Sequence, residues 1–90
     1  MVIDTSALLG IALGEPRRQA LLEHIQAASR RTVSAISLLE AGIVLRARLG
    51  PSSVPWLYQL VEELGAEVVP FEEVRARLAI AATDLTVVRG

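Results

Sequence analysis

Apolar positions along this chain alternate between short continuous runs and longer stretches at helical spacing, and Gly or Pro closes most of them. Met1-Val2-Ile3 is the first run. It ends on Asp4, and Thr5-Ser6 offer capping oxygens ahead of Ala7-Leu8-Leu9, which predicts a strand running directly into a helix. Gly14 stops that helix. Pro16 falls in the first turn of a second one, whose Leu21, Leu22, Ile25 and Ala28 recur at helical spacing. Arg31 to Ser34 predicts the next strand, and Ser34 or Ser37 can cap a long helix to Leu49, ended by Gly50-Pro51. Ser53 precedes a helix through Leu64 that sets Trp56, Leu57, Leu60, Val61 and Leu64 on one side, and Gly65 closes it. Glu67-Val68-Val69 reads as a strand stopped by Pro70, and Phe71 to Ala82 as a last helix with Val74, Leu78 and Ala81 inward.

Strands alternating with helices predict a parallel sheet in an α/β fold. Ninety residues, 52% of them hydrophobic, suffice for one domain and its core. The absence of cysteine excludes disulfides and thiolate metal sites, so a reducing cytoplasm is the expected location. The uncharged run Thr5 to Gly14 is too short to span a bilayer, and Asp4 stands where a signal peptide would be basic. A net charge of -1 removes bulk attraction for nucleic acid, so any RNA contact has to be local. All nine basic residues are Arg, a bias that suits bidentate phosphate contacts and equally follows from genome composition.

Asp4 stands at the carboxyl end of a predicted strand, where ligands gather in parallel α/β folds. The competing use of Asp4 is as a helix cap. Glu40 shares a predicted helix face with Ile36, Ile43, Val44 and Ala47, which are expected to look inward, so it needs a cation, an Arg or a proton beside it. Its competing use is the capping box Ser37-Leu38-Leu39-Glu40. Two carboxylates converging from separate elements suit a hard divalent ion, Mg²⁺ or Mn²⁺. Other candidates are weaker. His24, the single histidine, falls on a polar helix side; Trp56, Tyr58 and Phe71 are scattered, with Trp56 read as core. Arg30-Arg31 and Arg46-Arg48 suit phosphate contacts, but solvated faces or ion pairs are the commoner use of such residues.

The ordered set Val2-Ile3-Asp4-Thr5-Ser6-Ala7-Leu8, Gly14-Glu15-Pro16, Ser34 to Ala41, Arg48-Leu49-Gly50 and Val69-Pro70-Phe71 resembles the landmarks of PIN-domain ribonuclease toxins of the VapC type. The resemblance implies a PIN-like three-layer α/β/α fold with a parallel sheet. It makes Asp4 and Glu40 catalytic, metal-binding acids, with Ser6 and Thr5 as supporting polar neighbours. It further implies a Mg²⁺-dependent endoribonuclease, an RNA substrate and a VapB-type antitoxin as partner.

The resemblance runs through about Ala82, so residues 1–82 read as the N-terminal portion of a PIN domain and residues 83–90 as a divergent tail. The family's Gly-Asp element with its third acid has no counterpart around Asp84. The expectation is a C-terminally truncated chain, with a shifted reading frame as one origin, an incomplete sheet and weak or absent cleavage. The alternative function is a catalytically inactive PIN remnant that acts as an antitoxin-binding or oligomerisation module, with Leu8, Leu9, Ile11 and Leu13 available as a docking face, although core packing is the commoner use of most such residues. In the fold that the resemblance implies, such truncation would leave Val2 and Ile3 on an unprotected parallel edge, which predicts a homo-oligomer.

Overall fold

The computed structural model describes residues 1–75. Its elements run α1 (Thr5–Ala12), α2 (Arg18–Ala27), β1 (Thr32–Ser34), α3 (Ala35–Leu49), α4 (Ser53–Glu63) and β2 (Glu67–Val69). Residues 71–75 are helical. The expected inward residues Leu78 and Ala81 of the last helix, the tail and Asp84 lie outside the described residues.

β1 and β2 pair in parallel, with Val33 opposite Val68, as the alternation of strands and helices requires. The expected opening strand is reduced to one parallel bridge between Val2 and Thr32. The Ile3 N–H donates to Thr32 O at 2.7 Å and the Thr32 N–H to Met1 O at 2.9 Å. Pairing stops there because Asp4 turns the chain into α1. Among the described residues the opening segment therefore lies on one side of β1 and β2 on the other, and β1 is the middle strand. Val2 is 74% exposed on this edge, but Ile3 points into the core.

Boundaries follow the expected signals closely. Gly50 ends α3 at φ 91°, a left-handed conformation that costs a residue with a Cβ more than it costs glycine. Pro16 sits in the turn before α2 rather than in its first turn, because the Arg18 N–H bonds back to Glu15 O and the helix proper opens after Arg17. α1 packs against α2 and α3, and α3 against α4. Ile3, Leu8, Ile11, Val33, Leu45 and Leu57 are the largest fully buried side chains of the core.

Three sequence expectations about facing are corrected, and one open alternative is decided in favour of core packing. In α3 the buried residues are Leu38, Ala41 and Leu45, while Ile43 and Ala47 are exposed, and Glu40 lies with them on the solvent side. The spacing 38, 41, 45 is itself helical, and packing against both α1 and α4 selects that stripe. Trp56 is 42% exposed and not core, because Leu57, Leu60 and Val61 take the inward face of α4. Leu8 and Ile11 are consumed by the core, so they form no docking face. Arg31, read as a solvated or phosphate-facing residue, instead donates from all three guanidinium nitrogens to backbone carbonyls of Ala28, Leu64 and Gln26.

Candidate metal centre

The site is built where the N-terminus of α1 meets α3. Asp4 is the N-cap of α1: its backbone is extended (φ -89°, ψ 173°), and its Oδ1 accepts from the Ala7 N–H at 2.8 Å. The capping use of Asp4 is thus present, and it occupies one oxygen only. Among the described residues the other oxygen takes no hydrogen bond from protein.

Glu40 arrives from α3. Ser34 is the N-cap of that helix, its hydroxyl accepting from the Ser37 N–H at 3.0 Å. A capping box at Ser37 is therefore ruled out, and Glu40 is released for other work. Its Oε2 accepts from the Thr5 hydroxyl at 3.1 Å. Thr5 Oγ also lies 3.5 Å from Ser37 O, but one hydroxyl proton serves the nearer, charged acceptor best. The bond between Thr5 and Glu40 joins the start of α1 to α3 across 35 positions of sequence. Through it the two sequence-predicted acids become neighbours of a single residue. Neither carboxylate is buried, so the cost of a charge on an apolar stripe does not arise.

Ser6 behaves differently from Thr5. Its hydroxyl and its carbonyl both accept from Arg17 Nη2, at 2.8 and 3.0 Å. Arg17 Nε donates to Glu15 Oε1 at 3.1 Å. Sequence reasoning passed over Arg17, since a residue two places after an acid in a turn carries no spacing signal. Gly10 is the one hint: a Cβ there would come within 3.1 Å of Arg17 Nε and 2.9 Å of Leu21 Cδ1, so glycine allows the guanidinium to lie along α1.

Two clefts open beside this junction. One is lined by Asp4, Ser6, Arg17 and His24, the other by Thr5, Ser6, Glu15, Arg17 and Arg48. His24 is exposed, as expected from its helix position. Among the described residues no group of three or more His, Cys, Asp or Glu side chains is placed to hold a metal ion. Thr5, next to Asp4 in the chain, is the residue whose hydroxyl reaches the Glu40 carboxylate. No helix of the described residues is long and apolar enough to cross a membrane.

A sequence model of the PIN domain matches residues 1–86. The chain is 40% identical over 82 residues to the VapC ribonuclease Mb0625 of Mycobacterium bovis and to ribonuclease VapC28 of Mycobacterium tuberculosis, covering 91% of this chain and 62% of each relative. Ribonuclease VapC42 of Mycobacterium tuberculosis is 28% identical over 82 residues, covering 91% of this chain and 63% of the relative. The chain thus spans less than two-thirds of the length of these relatives.

Proposed function

The chain belongs to the PIN-domain family, and from that premise we propose that it serves a metal-dependent endoribonuclease toxin of the VapBC type, with Asp4 and Glu40 as the acids that hold the cation. The carrying observation is the Thr5–Glu40 hydrogen bond, which brings the acid of α3 to the N-terminus of α1, where Asp4 stands. Similarity to VapC ribonucleases supports the reaction class. Both acids keep one oxygen without a protein hydrogen bond among the described residues. Such a sparse set of hard oxygen donors open to solvent fits Mg²⁺, which is commonly held by one or two carboxylates and retains several waters; Mn²⁺ suits the same donors.

When bound, the ion supplies Lewis-acid activation of water and neutralises charge on the leaving oxygen of a phosphodiester. The chain's own residues do the positioning. Asp4 is fixed by its cap bond, and Glu40 is oriented by Thr5. Ser6 is held by Arg17 and so braces the first turn of α1. The same reading carries RNA as substrate, a VapB-type antitoxin as partner and the cytoplasm as location.

Incubation of the purified chain with structured RNA and Mg²⁺, with and without EDTA, tests the proposal. Asp4→Asn and Glu40→Gln keep an oxygen for the Ala7 N–H and the Thr5 hydroxyl while removing the charge. Weak cutting by the wild type that stops in EDTA and in both variants is the expected result, since only two acids meet here among the described residues. Intact RNA with folded wild-type protein that co-purifies with an antitoxin would sink the nuclease reading and favour an antitoxin-binding module.

A further inference from the structure

We propose that Arg17 and Arg48 are positioning residues for the phosphate backbone of RNA, holding the strand beside the Asp4–Glu40 centre. The inference rests on the reading of that centre as the cutting site. Arg17 and Ser6 line both clefts beside it, together with Asp4 and His24 in one and with Thr5, Glu15 and Arg48 in the other. A strand laid across the start of α1 would pass from one cleft to the other under Arg17, with Arg48 at one end.

The guanidinium of Arg17 is preorganised for this role. Of its five N–H donors, the one on Nε goes to Glu15 and Nη2 serves the two oxygens of Ser6. Nη1 makes no hydrogen bond among the described residues, which leaves its N–H groups for a phosphate oxygen. The side chain is 49% exposed, so the group is held in place yet open. Its ordering is completed by the fold, and little further freedom is lost when an anion arrives.

Arg48 complements it. Glu40, Val44 and Arg48 follow one another at intervals of four along α3, which sets Arg48 on the side of the acid and about 12 Å farther along the axis. It is exposed and makes no hydrogen bond or ion pair among the described residues. At that separation it meets a phosphate neighbouring the cleaved bond and not the bond itself. With a net charge of -1 the molecule offers little general attraction to RNA, so affinity depends on such local cations. Arg46 is the internal contrast. It stands two residues from Arg48 but lines the groove between α3 and α4 with Leu39, Ile43 and Tyr58, away from the acids.

Binding can be read apart from cutting by titrating the full chain against a fluorescein-labelled single-stranded RNA in EDTA, following anisotropy between low and moderate salt. Arg17→Gln and Arg48→Gln are each expected to raise Kd several-fold and to flatten the slope of log K against log salt by ~0.7, with the double variant flatter by ~1.4. Arg46→Gln removes the same charge and is expected to bind as the wild type. Thermal unfolding checks that Arg17→Gln is folded; Arg48→Gln breaks no contact and keeps the test sharp in either case. Equal weakening by Arg46→Gln, wild-type binding by the Arg17 and Arg48 variants, or no RNA binding at all would overturn the proposal. So would displacement of the RNA by an equal charge of oligo-glutamate, which would mark an acidic-peptide surface. Intact RNA in Mg²⁺, with these binding differences retained, would sink the nuclease reading alone.

Discussion

Asp4 does two things with one carboxylate, and the two can be separated. One oxygen caps α1 through the Ala7 N–H, and removal of such a cap costs about 1 kcal/mol. Asp4→Ala loses both the cap and the charge, whereas Asp4→Asn keeps an acceptor oxygen and loses only the charge. Urea denaturation is expected to show Asp4→Ala destabilised by about 1 kcal/mol and Asp4→Asn within about 0.5 kcal/mol of the wild type. Both variants should lose metal-dependent cutting. Equal stability losses in the two would mean that charge on the helix dipole, not the cap bond, is what Asp4 contributes. The residue was legible in the sequence because the strand-to-helix junction Ile3-Asp4-Thr5 is local. Its pairing with Glu40 through Thr5 was not, since that contact depends on how α1 and α3 cross.

Helix α3 shows where a sequence pattern loses its discriminating power. It is apolar on almost every side, with Ile36, Leu38, Leu39, Ala41, Ile43, Val44, Leu45 and Ala47 spread around one helix. Periodicity located the helix and both of its ends, but several stripes satisfied the spacing, and the stripe containing Glu40 and Ile43 was the wrong one. α4 was easier to orient, since Leu57, Leu60, Val61 and Leu64 stand against Glu62 and Glu63, and only Trp56 was misplaced. The facing of α3 makes a sharp prediction. Leu45 is fully buried and Ile43 is 61% exposed, so Leu45→Ala should cost about 2–5 kcal/mol and Ile43→Ala less than about 1 kcal/mol in chemical denaturation. The reverse order would restore the face that includes Glu40 to the interior and remove the solvent-exposed carboxylate on which the metal centre depends.

At the scale of the whole molecule, the two-stranded sheet of the described residues is too small to hold the helices in register by itself, and Arg31 supplies a tie. It precedes β1, and its backbone carbonyl accepts from the Glu67 N–H at the start of β2. Its guanidinium donates to Gln26 O and Ala28 O at the end of α2 and to Leu64 O at the end of α4. One cation thus satisfies the terminal carbonyls of two helices and sits at the negative ends of both dipoles. It joins α2, α4 and both strands at the end of the molecule where the two helices finish. The same adjacent pair supplies the contrast, because the Arg30 side chain is exposed and makes no hydrogen bond among the described residues. Arg31→Met keeps most of the aliphatic stem and removes the donors. It is expected to destabilise the fold by about 2 kcal/mol, since bonds to a charged group are the strong ones. In a domain of this size that corresponds to a fall in Tm of roughly 10 °C. Arg30→Met should leave Tm nearly unchanged. If Arg31→Met melted with the wild type, the carbonyls at the two helix ends would be served adequately by water, and the register of α2 and α4 on the sheet would rest on the apolar core alone.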